Sequence, residues 1–177
     1  SAGAWTAYGL GSETEELLGK LRSRIDNLVL RTTFITGFPG ETDEQFDELA
    51  QFVEQQKFER VGVFTYSYEG DTPAANLPQH LPEEVKEERR ERLMAVQQKV
   101  AFEWNQSQVG KTMDVILDQP VPNEQGVWVG RTYGDAPDVD NLVFVTGDQL
   151  AEGQIVPCEI VAAQDYDLIA VPVDAVK

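Results

Sequence analysis

The residues with the clearest capacity for chemistry form a short turn, Gly37-Phe38-Pro39-Gly40, which follows an apolar segment and precedes a helix. Thr42 and Gln45 are spaced as a capping box, which places the start of the helix directly after the turn. Such a turn presents backbone N–H groups and the positive end of the helix dipole, which suit an anionic group of a ligand. The pattern is more often that of an ordinary tight turn between a strand and a helix, and the sequence leaves both interpretations open.

Thiol and imidazole chemistry have one candidate each, Cys158 and His80. A single cysteine forms no disulfide within the chain and cannot by itself hold zinc or an iron–sulfur centre. Cys158 lies in the β-branched segment from Ile155 to Val161, where a small buried thiol is expected. His80 lies among prolines and is expected to be solvated. We therefore assign no catalytic residue and no metal ligand within this chain.

The charge is strongly negative and unevenly placed. The net charge is −17, and residues 113–177 contribute −10 of it, with 2 Lys+Arg against 12 Asp+Glu. Nucleic acids are bound mainly by cations that displace counterions, so nucleic acid is a disfavoured partner. A basic protein is the favoured macromolecular partner of the last third of the chain.

Membrane contact is not expected. No apolar run approaches the roughly 18 to 20 residues that a membrane helix needs, and no segment has the pattern of a signal peptide. A cytoplasmic location is the default expectation.

The elements that must position the turn form a strand–helix–strand unit. Residues 1–11 are expected to be an irregular lead-in, and apolar residues at helical spacing predict a helix over 13–25. Apolar, β-branched segments predict strands over 28–36 and 61–66, and the helix after Thr42 connects them, so these strands should be parallel. Both are apolar on both faces, as buried parallel strands are. Two strands make no stable parallel sheet alone, so the unit is expected to belong to a larger α/β domain.

The second half of the chain has a different pattern. A long charged helix is predicted from Pro82 to about Trp104, and its run of alternating charges at 86–92 is expected to be a solvated face. Five short strands then suit a small closed barrel of the OB-like kind; they are predicted at 112–117, 127–132, 141–146, 155–163 and 168–172. The expected divisions are a lead-in at 1–11, an α/β part at 12–81, a linker helix at 82–109 and a barrel at 110–177.

Four segments resemble the methylthiotransferase branch of the radical-SAM enzymes. Residues 30–42 resemble the fifth strand of its (β/α) barrel, residues 61–74 the next strand and loop, and residues 81–89 its linker helix. Residues 129–140, closing with 165–168, resemble its TRAM domain. The resemblance covers about residues 12 to 172. It implies the C-terminal portion of such an enzyme: an α/β remnant of a radical-SAM (β/α) barrel, a linker helix, and an all-β, OB-like TRAM barrel.

Within that branch the chain is more similar to the RimO-like ribosomal-protein methylthiotransferases than to the tRNA-modifying members. The form Arg31-Thr32-Thr33-Phe34-Ile35 and the form Asp135-Ala136-Pro137-x-x-Asp140 both favour the RimO-like group. That group modifies an aspartate of a small-subunit ribosomal protein. The acidic barrel agrees independently, because it should repel tRNA and attract a protein rich in Lys and Arg.

The resemblance implies radical chemistry with S-adenosylmethionine and two [4Fe–4S] clusters in the full-length parent. The radical removes a hydrogen from the β-carbon of the substrate, and the second cluster helps to supply the sulfur. The positions that match the cofactor-contacting strands are Thr33, Ile35, Gly37, Phe64 and Tyr66, with Ile35 against the adenine. These residues could instead be ordinary core residues of the strands.

Two departures from the family pattern limit what the chain can do alone. The cluster cysteines are absent, so this chain is expected to bind none of these cofactors and to be inactive by itself. The order Glu69-Gly70-Asp71-Thr72 differs from the usual Glu-Glu-Gly-Thr run, which puts the role of that loop in doubt.

The barrel surface is the predicted docking surface for the basic ribosomal protein. The candidate docking residues are Arg131, Asp135, Asp138, Asp140, Tyr166 and Asp167. Their alternative role is turn chemistry, because aspartate caps turns in many proteins. Two other functions stay open: a tRNA-modifying relative with an RNA-binding TRAM barrel, and a non-catalytic binding module.

Overall fold

The computed structural model describes residues 12–136 and 140–173. The predicted lead-in at 1–11 and the docking candidate Asp138 lie outside these ranges. The chain divides into two compact units, residues 1–100 and 101–177, and the division falls inside a long helix. No helix in the described ranges is long and apolar enough to cross a membrane.

The first unit is a strand–helix–strand arrangement preceded and followed by helices. Its elements are α1 (Ser12–Arg24), β1 (Arg31–Thr36), α2 (Asp43–Gln56), β2 (Arg60–Thr65), a short 3-10 helix (Pro73–Asn76) and the first part of α3 (Glu83–Gln108). The capping box at the start of α2 is confirmed: the Gln45 backbone N–H donates to Thr42 Oγ1, and the Thr42 N–H donates to Gln45 Oε1.

The two strands of this unit are parallel, as predicted, and they pair in register from Arg31↔Arg60 to Thr36↔Thr65. β1 begins at Arg31 rather than at residue 28. The Leu30 carbonyl accepts the Arg60 N–H, which is the first hydrogen bond of the parallel ladder, whereas the Leu30 N–H donates to Glu59 Oε2 at 2.8 Å. The ladder therefore starts where β2 starts.

The core of the first unit covers one face of this sheet. It is formed by Phe46, Leu49, Phe52, Val53, Phe58, Val63 and Leu93, which come from α2, β2 and α3 and the turn between α2 and β2. In this chain the other face of the sheet is open, and there Ile35 is 49% exposed and Phe64 is 62% exposed. Nothing among the described residues of this unit covers that face.

The charged run of α3 departs in part from the prediction that it forms a solvated face. It runs to Gln108, about one turn beyond the expected end. Lys86 and Arg89, which belong to the charged run at 86–92, are buried together with Leu93 on the same helical face. The spacing of three and four residues places these side chains on one stripe, so the charged run has a buried side as well as a solvated one.

The second unit is a closed five-stranded barrel, which confirms the predicted architecture of this part. Its strands are β3 (Thr112–Pro120), β4 (Val127–Arg131), β5 (Val143–Thr146), β6 (Ile155–Gln164) and β7 (Asp167–Pro172), in the order β3-β4-β5-β7-β6. β5 and β7 are parallel, and the other pairs are antiparallel. The interior is filled by Val115, Leu117, Val143, Val145, Val156, Cys158, Ile160, Leu168 and Ala170.

The end of α3 is tied to the barrel by one buried amide. Asn105 is fully buried, and its Nδ2 donates to the carbonyl oxygens of Asp165 at 3.1 Å and Tyr166 at 2.7 Å. Phe102 packs edge-on against the Tyr166 ring, with centroids 4.8 Å apart. The turn between β6 and β7 is therefore held by the last turns of α3.

The buried thiol of Cys158 predicts a pH dependence of stability. Burial, and secondarily the charge of Asp114, raises the pKa of Cys158 to about 11 from an ordinary value of 9.0. The unfolded thiol therefore ionises before the folded one, and the free energy of unfolding should fall as the pH rises from about 9 to about 11. Thermal unfolding measured at a series of pH values should show this decline. A Cys158→Ala variant should show a smaller decline, because the contribution of the thiol is absent. An equal decline in both proteins would contradict the prediction.

Candidate functional site

The exposed face of the β1–β2 sheet carries three of the predicted cofactor-binding residues. Ile35 and Phe64 are register partners on the two strands, so their exposed side chains are neighbours. Thr33 lies two residues before Ile35 on the same face, opposite Gly62, which has no side chain. The three side chains form a flat, largely apolar platform with one hydroxyl beside it, which suits the face of a planar ring.

The other two predicted cofactor-binding residues, Gly37 and Tyr66, lie where the strands end and contact α3. Gly37 has a φ of +76°, and a Cβ atom there would overlap the Lys86 side chain. Lys86 Nζ donates to the Tyr66 carbonyl at 3.1 Å, and the Tyr66 ring packs edge-on against Phe38, with centroids 5.3 Å apart. Both residues are therefore tightly placed, and neither belongs to the exposed platform.

The turn after β1 does not have the free N–H groups expected of an anion site. The N–H groups of Gly37, Gly40, Glu41 and Thr42 donate to Glu41 Oε1, the Gln79 carbonyl, the Phe38 carbonyl and Gln45 Oε1. The Glu41 carboxylate, 3.0 Å from the Gly37 nitrogen, would also repel an anion. These N–H groups already donate to acceptors within the protein, so the structure favours the ordinary tight turn over an anion site.

A buried charge network, which the sequence analysis missed, holds this turn. Arg89 Nη1 donates to Glu41 Oε1 at 2.5 Å and to the Glu41 carbonyl at 3.2 Å, and Nη2 donates to Asp43 Oδ1 at 2.6 Å. The Arg89 and Glu41 side chains are 6% and 3% exposed. Burial acts to lower the pKa of Arg89, but the hydrogen bonds to Asp43 and Glu41 outweigh it and raise that pKa. The placement of Arg89 four residues before the apolar Leu93 was the available signal.

An apolar cavity of about 580 Å³ lies beside the platform. It is lined by consecutive residues from Leu30 to Ile35, so it follows the edge of β1 that does not pair with β2. Leu18 of α1 and Phe52 of α2 form other parts of its wall. Among the described residues no strand pairs with this edge of β1.

The predicted docking residues of the barrel have structural roles for the most part. The Asp135 carboxylate accepts the N–H and hydroxyl of Thr132, and Asp140 Oδ2 accepts the Ala136 N–H at 2.7 Å. Asp167 Oδ1 accepts the Leu142 N–H at 3.0 Å. The turn-forming alternative therefore accounts for these three carboxylates.

Of the predicted docking residues that the structure describes, Arg131 and Asp140 are brought together. Arg131 and Asp140 line a common cavity of about 310 Å³ on the barrel, with Asp118 and Asn141, which the sequence analysis did not select. Tyr166, in the turn between β6 and β7, and Asp167, the first residue of β7, do not line it. Within the described ranges no group of three or more His, Cys, Asp or Glu side chains could hold a metal ion.

Comparisons with known proteins agree with the barrel and extend over most of the chain. A family model described as the TRAM domain matches residues 109–173. The ribosomal protein uS12 methylthiotransferase RimO of Synechococcus sp. (strain JA-3-3Ab) is 47% identical over 165 residues, which is 93% of this chain and 35% of the relative. The RimO proteins of Nostoc sp. (strain PCC 7120) and Clostridioides difficile (strain 630) are 48% and 46% identical, over 89% and 88% of this chain and 36% and 35% of their own lengths. The chain thus spans about a third of the length of the curated relatives it matches.

Proposed function

Because the chain belongs to the RimO-like family of methylthiotransferases, we propose that it is the C-terminal part of an enzyme that modifies ribosomal protein uS12. The modification is the attachment of a methylthio group to the β-carbon of an aspartate. The acidic barrel docks the basic substrate protein, and the first unit contributes to the cofactor site. A cytoplasmic location belongs to the same proposal.

The observation that carries this proposal is the incomplete sheet of the first unit. One face of the sheet exposes Ile35 and Phe64, and the edge of β1 borders an apolar cavity. Leaving two large apolar side chains in water forgoes the roughly 1.5 to 3 kcal/mol that burying each would contribute. A sheet with these features fits two strands of a larger (β/α) barrel whose interior is the exposed face.

The platform fits the adenine of S-adenosylmethionine, whereas the part of the chain that the structure describes has no group of side chains that could hold a metal centre. When bound, S-adenosylmethionine supplies the radical chemistry of the reaction. Ile35 and Phe64 would hold and orient the ring by apolar contact and exclude water from it, and the Thr33 hydroxyl could hydrogen-bond to it. Cys158, the only cysteine, is buried in the core of the barrel, so the two [4Fe–4S] clusters of the parent would rest on residues outside this chain.

The scarcity of Lys and Arg on the barrel favours a basic protein over RNA as its partner. Arg131 is the only Lys or Arg in the described part of residues 113–173, and its Nε donates to Asp118 at 3.1 Å. RNA binding uses cations along the backbone of the nucleic acid, and this surface offers almost none. A partner rich in Lys and Arg instead gains from the net charge of the barrel.

The platform leads to a prediction for the full-length parent. Phe64→Ala should weaken the equilibrium binding of S-adenosylmethionine about tenfold, because one apolar wall of the ring site is removed. Leu17→Ala is the matched control, since Leu17 is also an exposed apolar residue but lies on α1. The Leu17→Ala variant should bind S-adenosylmethionine with unchanged affinity. Isothermal titration measures both. Equal affinities for Phe64→Ala and the parent would remove the platform from the cofactor site.

The proposed activity is tested with the full-length parent, S-adenosylmethionine, a reductant, a sulfur source and purified uS12. Mass spectrometry of uS12 should show a methylthio group in place of one hydrogen, located on an aspartate. If tRNA were modified and uS12 were not, the parent would belong to the tRNA-modifying branch. Modification of neither substrate by a cluster-loaded parent would reject the proposed activity.

A further inference from the structure

The cavity on the barrel is built by an irregularity in the β3–β4 ladder. Leu117 pairs with Gly130 and Gln119 pairs with Val129, so Asp118 is an extra residue with no partner on β4. A Cβ atom at position 130 would overlap the backbone oxygen of Ile116, so only glycine allows this close approach of the strands. Bulges of this kind redirect a side chain, and here the Asp118 carboxylate meets Arg131 Nε at 3.1 and 3.2 Å.

The cavity has hydrogen-bond donors that the protein does not use. The contact with Asp118 engages only Nε of Arg131, and the terminal guanidinium nitrogens, which are also donors, have no partner among the described residues. The Arg131 side chain is 29% exposed. Asn141 Nδ2 is buried and has no hydrogen-bond partner. A buried donor without an acceptor is unfavourable, so this wall of the cavity would be stabilised by an oxygen acceptor.

The charges around the cavity restrict which molecule can bring that acceptor. Asp118 and Asp140 also line it, and the barrel as a whole is strongly acidic. Like-charge repulsion disfavours a free anion or a phosphate backbone. A neutral carbonyl oxygen within a positively charged segment satisfies the donors and is attracted by the carboxylates.

We propose that the cavity lined by Asp118, Arg131, Asp140 and Asn141 is a peptide-binding pocket, in which Arg131 and Asn141 donate to a backbone carbonyl of a Lys/Arg-rich segment. The inference rests on the proposed function, in which the barrel docks a basic protein, and it locates that docking. The two aspartates contribute by attracting the cationic side chains next to the bound carbonyl.

The test removes the positive charge of Arg131 and compares the affinity for uS12 before and after. Arg131→Gln makes the barrel more acidic, so a surface that attracts its partner by net charge alone should bind uS12 as well or better. The pocket predicts the opposite, a loss of about tenfold in affinity, because a charged hydrogen-bond donor is removed. Asn141→Ala changes no charge and should also lose several-fold. Gln164→Ala, which removes an exposed amide from the same barrel outside the cavity, should bind as the unchanged chain does.

The affinity of this chain for purified uS12 is measured by titration calorimetry, with thermal unfolding of each variant to verify the fold. Asn141→Ala should fold normally, since Asn141 Nδ2 has no partner to lose. If the unchanged chain binds and both pocket variants bind equally well, the pocket is rejected while the docking function stands. If the unchanged chain does not bind, docking by this barrel and the pocket both fail. Binding of tRNA that is lost in Arg131→Gln would reassign the pocket to an RNA phosphate.

Discussion

Replacing Arg89 by methionine should lower the free energy of unfolding of the first unit by about 3 to 5 kcal/mol, because it leaves the buried Glu41 carboxylate without its counter-charge. The Glu41 side chain is almost fully buried and accepts from both Arg89 and the Gly37 N–H. Asp43 also loses its partner, but it is exposed to water and costs little. Hydrogen exchange of the β1 and α2 amides measures the effect, and the β3 and β6 amides report on the barrel in the same experiment.

The neighbouring Arg90 provides the matched control for this prediction. Arg90 and Glu87 form a partly exposed pair on the same helix, so Arg90→Met should lower the free energy of unfolding far less than Arg89→Met does. Combining Arg89→Met with Glu41→Gln should recover part of the lost free energy of unfolding, because the double variant no longer buries the negative charge of Glu41 without a counter-charge. If Arg89→Met and Arg90→Met lowered the free energy of unfolding by similar amounts, the buried Glu41 carboxylate would not need Arg89 as its counter-charge.

Replacing Gly130 by alanine should destabilise the barrel by about 3 kcal/mol or more, because the added methyl group meets backbone rather than a movable side chain. Its Cβ would overlap the Ile116 oxygen and press on Val115 Cγ1 in the core. Relief requires β3 and β4 to separate beside the bulge at Asp118. Thermal unfolding, followed by tryptophan fluorescence, reports this loss, because Trp128 packs against the barrel core.

Gly19 is the control for the glycine substitution. It lies in α1, and a Cβ atom there has no neighbour within 4 Å. Gly19→Ala should therefore leave the barrel unchanged and stabilise α1 by about 0.5 to 1 kcal/mol, through the helix propensity of alanine. A Gly130→Ala barrel that unfolds at the temperature of the unchanged protein would show that the strands are not closely packed at this position.

Local patterns in the sequence were enough to predict most of the fold. The capping box of Thr42 and Gln45 depends on residues three apart, and the parallel pairing of β1 and β2 follows from the helix between them. The five barrel strands were recognisable from short apolar segments between turns, with ends that differ from the observed ones by a few residues. Each of these features is set by nearby residues, so a single sequence contains the information.

The candidate site was harder to predict because it depends on residues distant in sequence. Arg89 was assigned to a solvated face, and only its contact with Glu41, 48 positions earlier, accounts for its burial. The bulge that turns Asp118 toward Arg131 follows from the close approach at Gly130, which composition does not reveal. The docking aspartates show a different difficulty, because the same residue type suits two roles. Asp135 was a candidate for docking, but its hydrogen bond to Thr132 is that of a turn-forming residue.

The proposed docking of a basic ribosomal protein by the acidic barrel, without RNA binding, can be measured with this chain. The experiment is a titration of this chain with purified uS12 and, separately, with bulk tRNA, each at low and high salt. We expect binding to uS12 that weakens as salt is raised, because screening reduces the attraction between opposite charges, and no binding to tRNA at either salt concentration. Binding to tRNA without binding to uS12 would contradict the proposed docking.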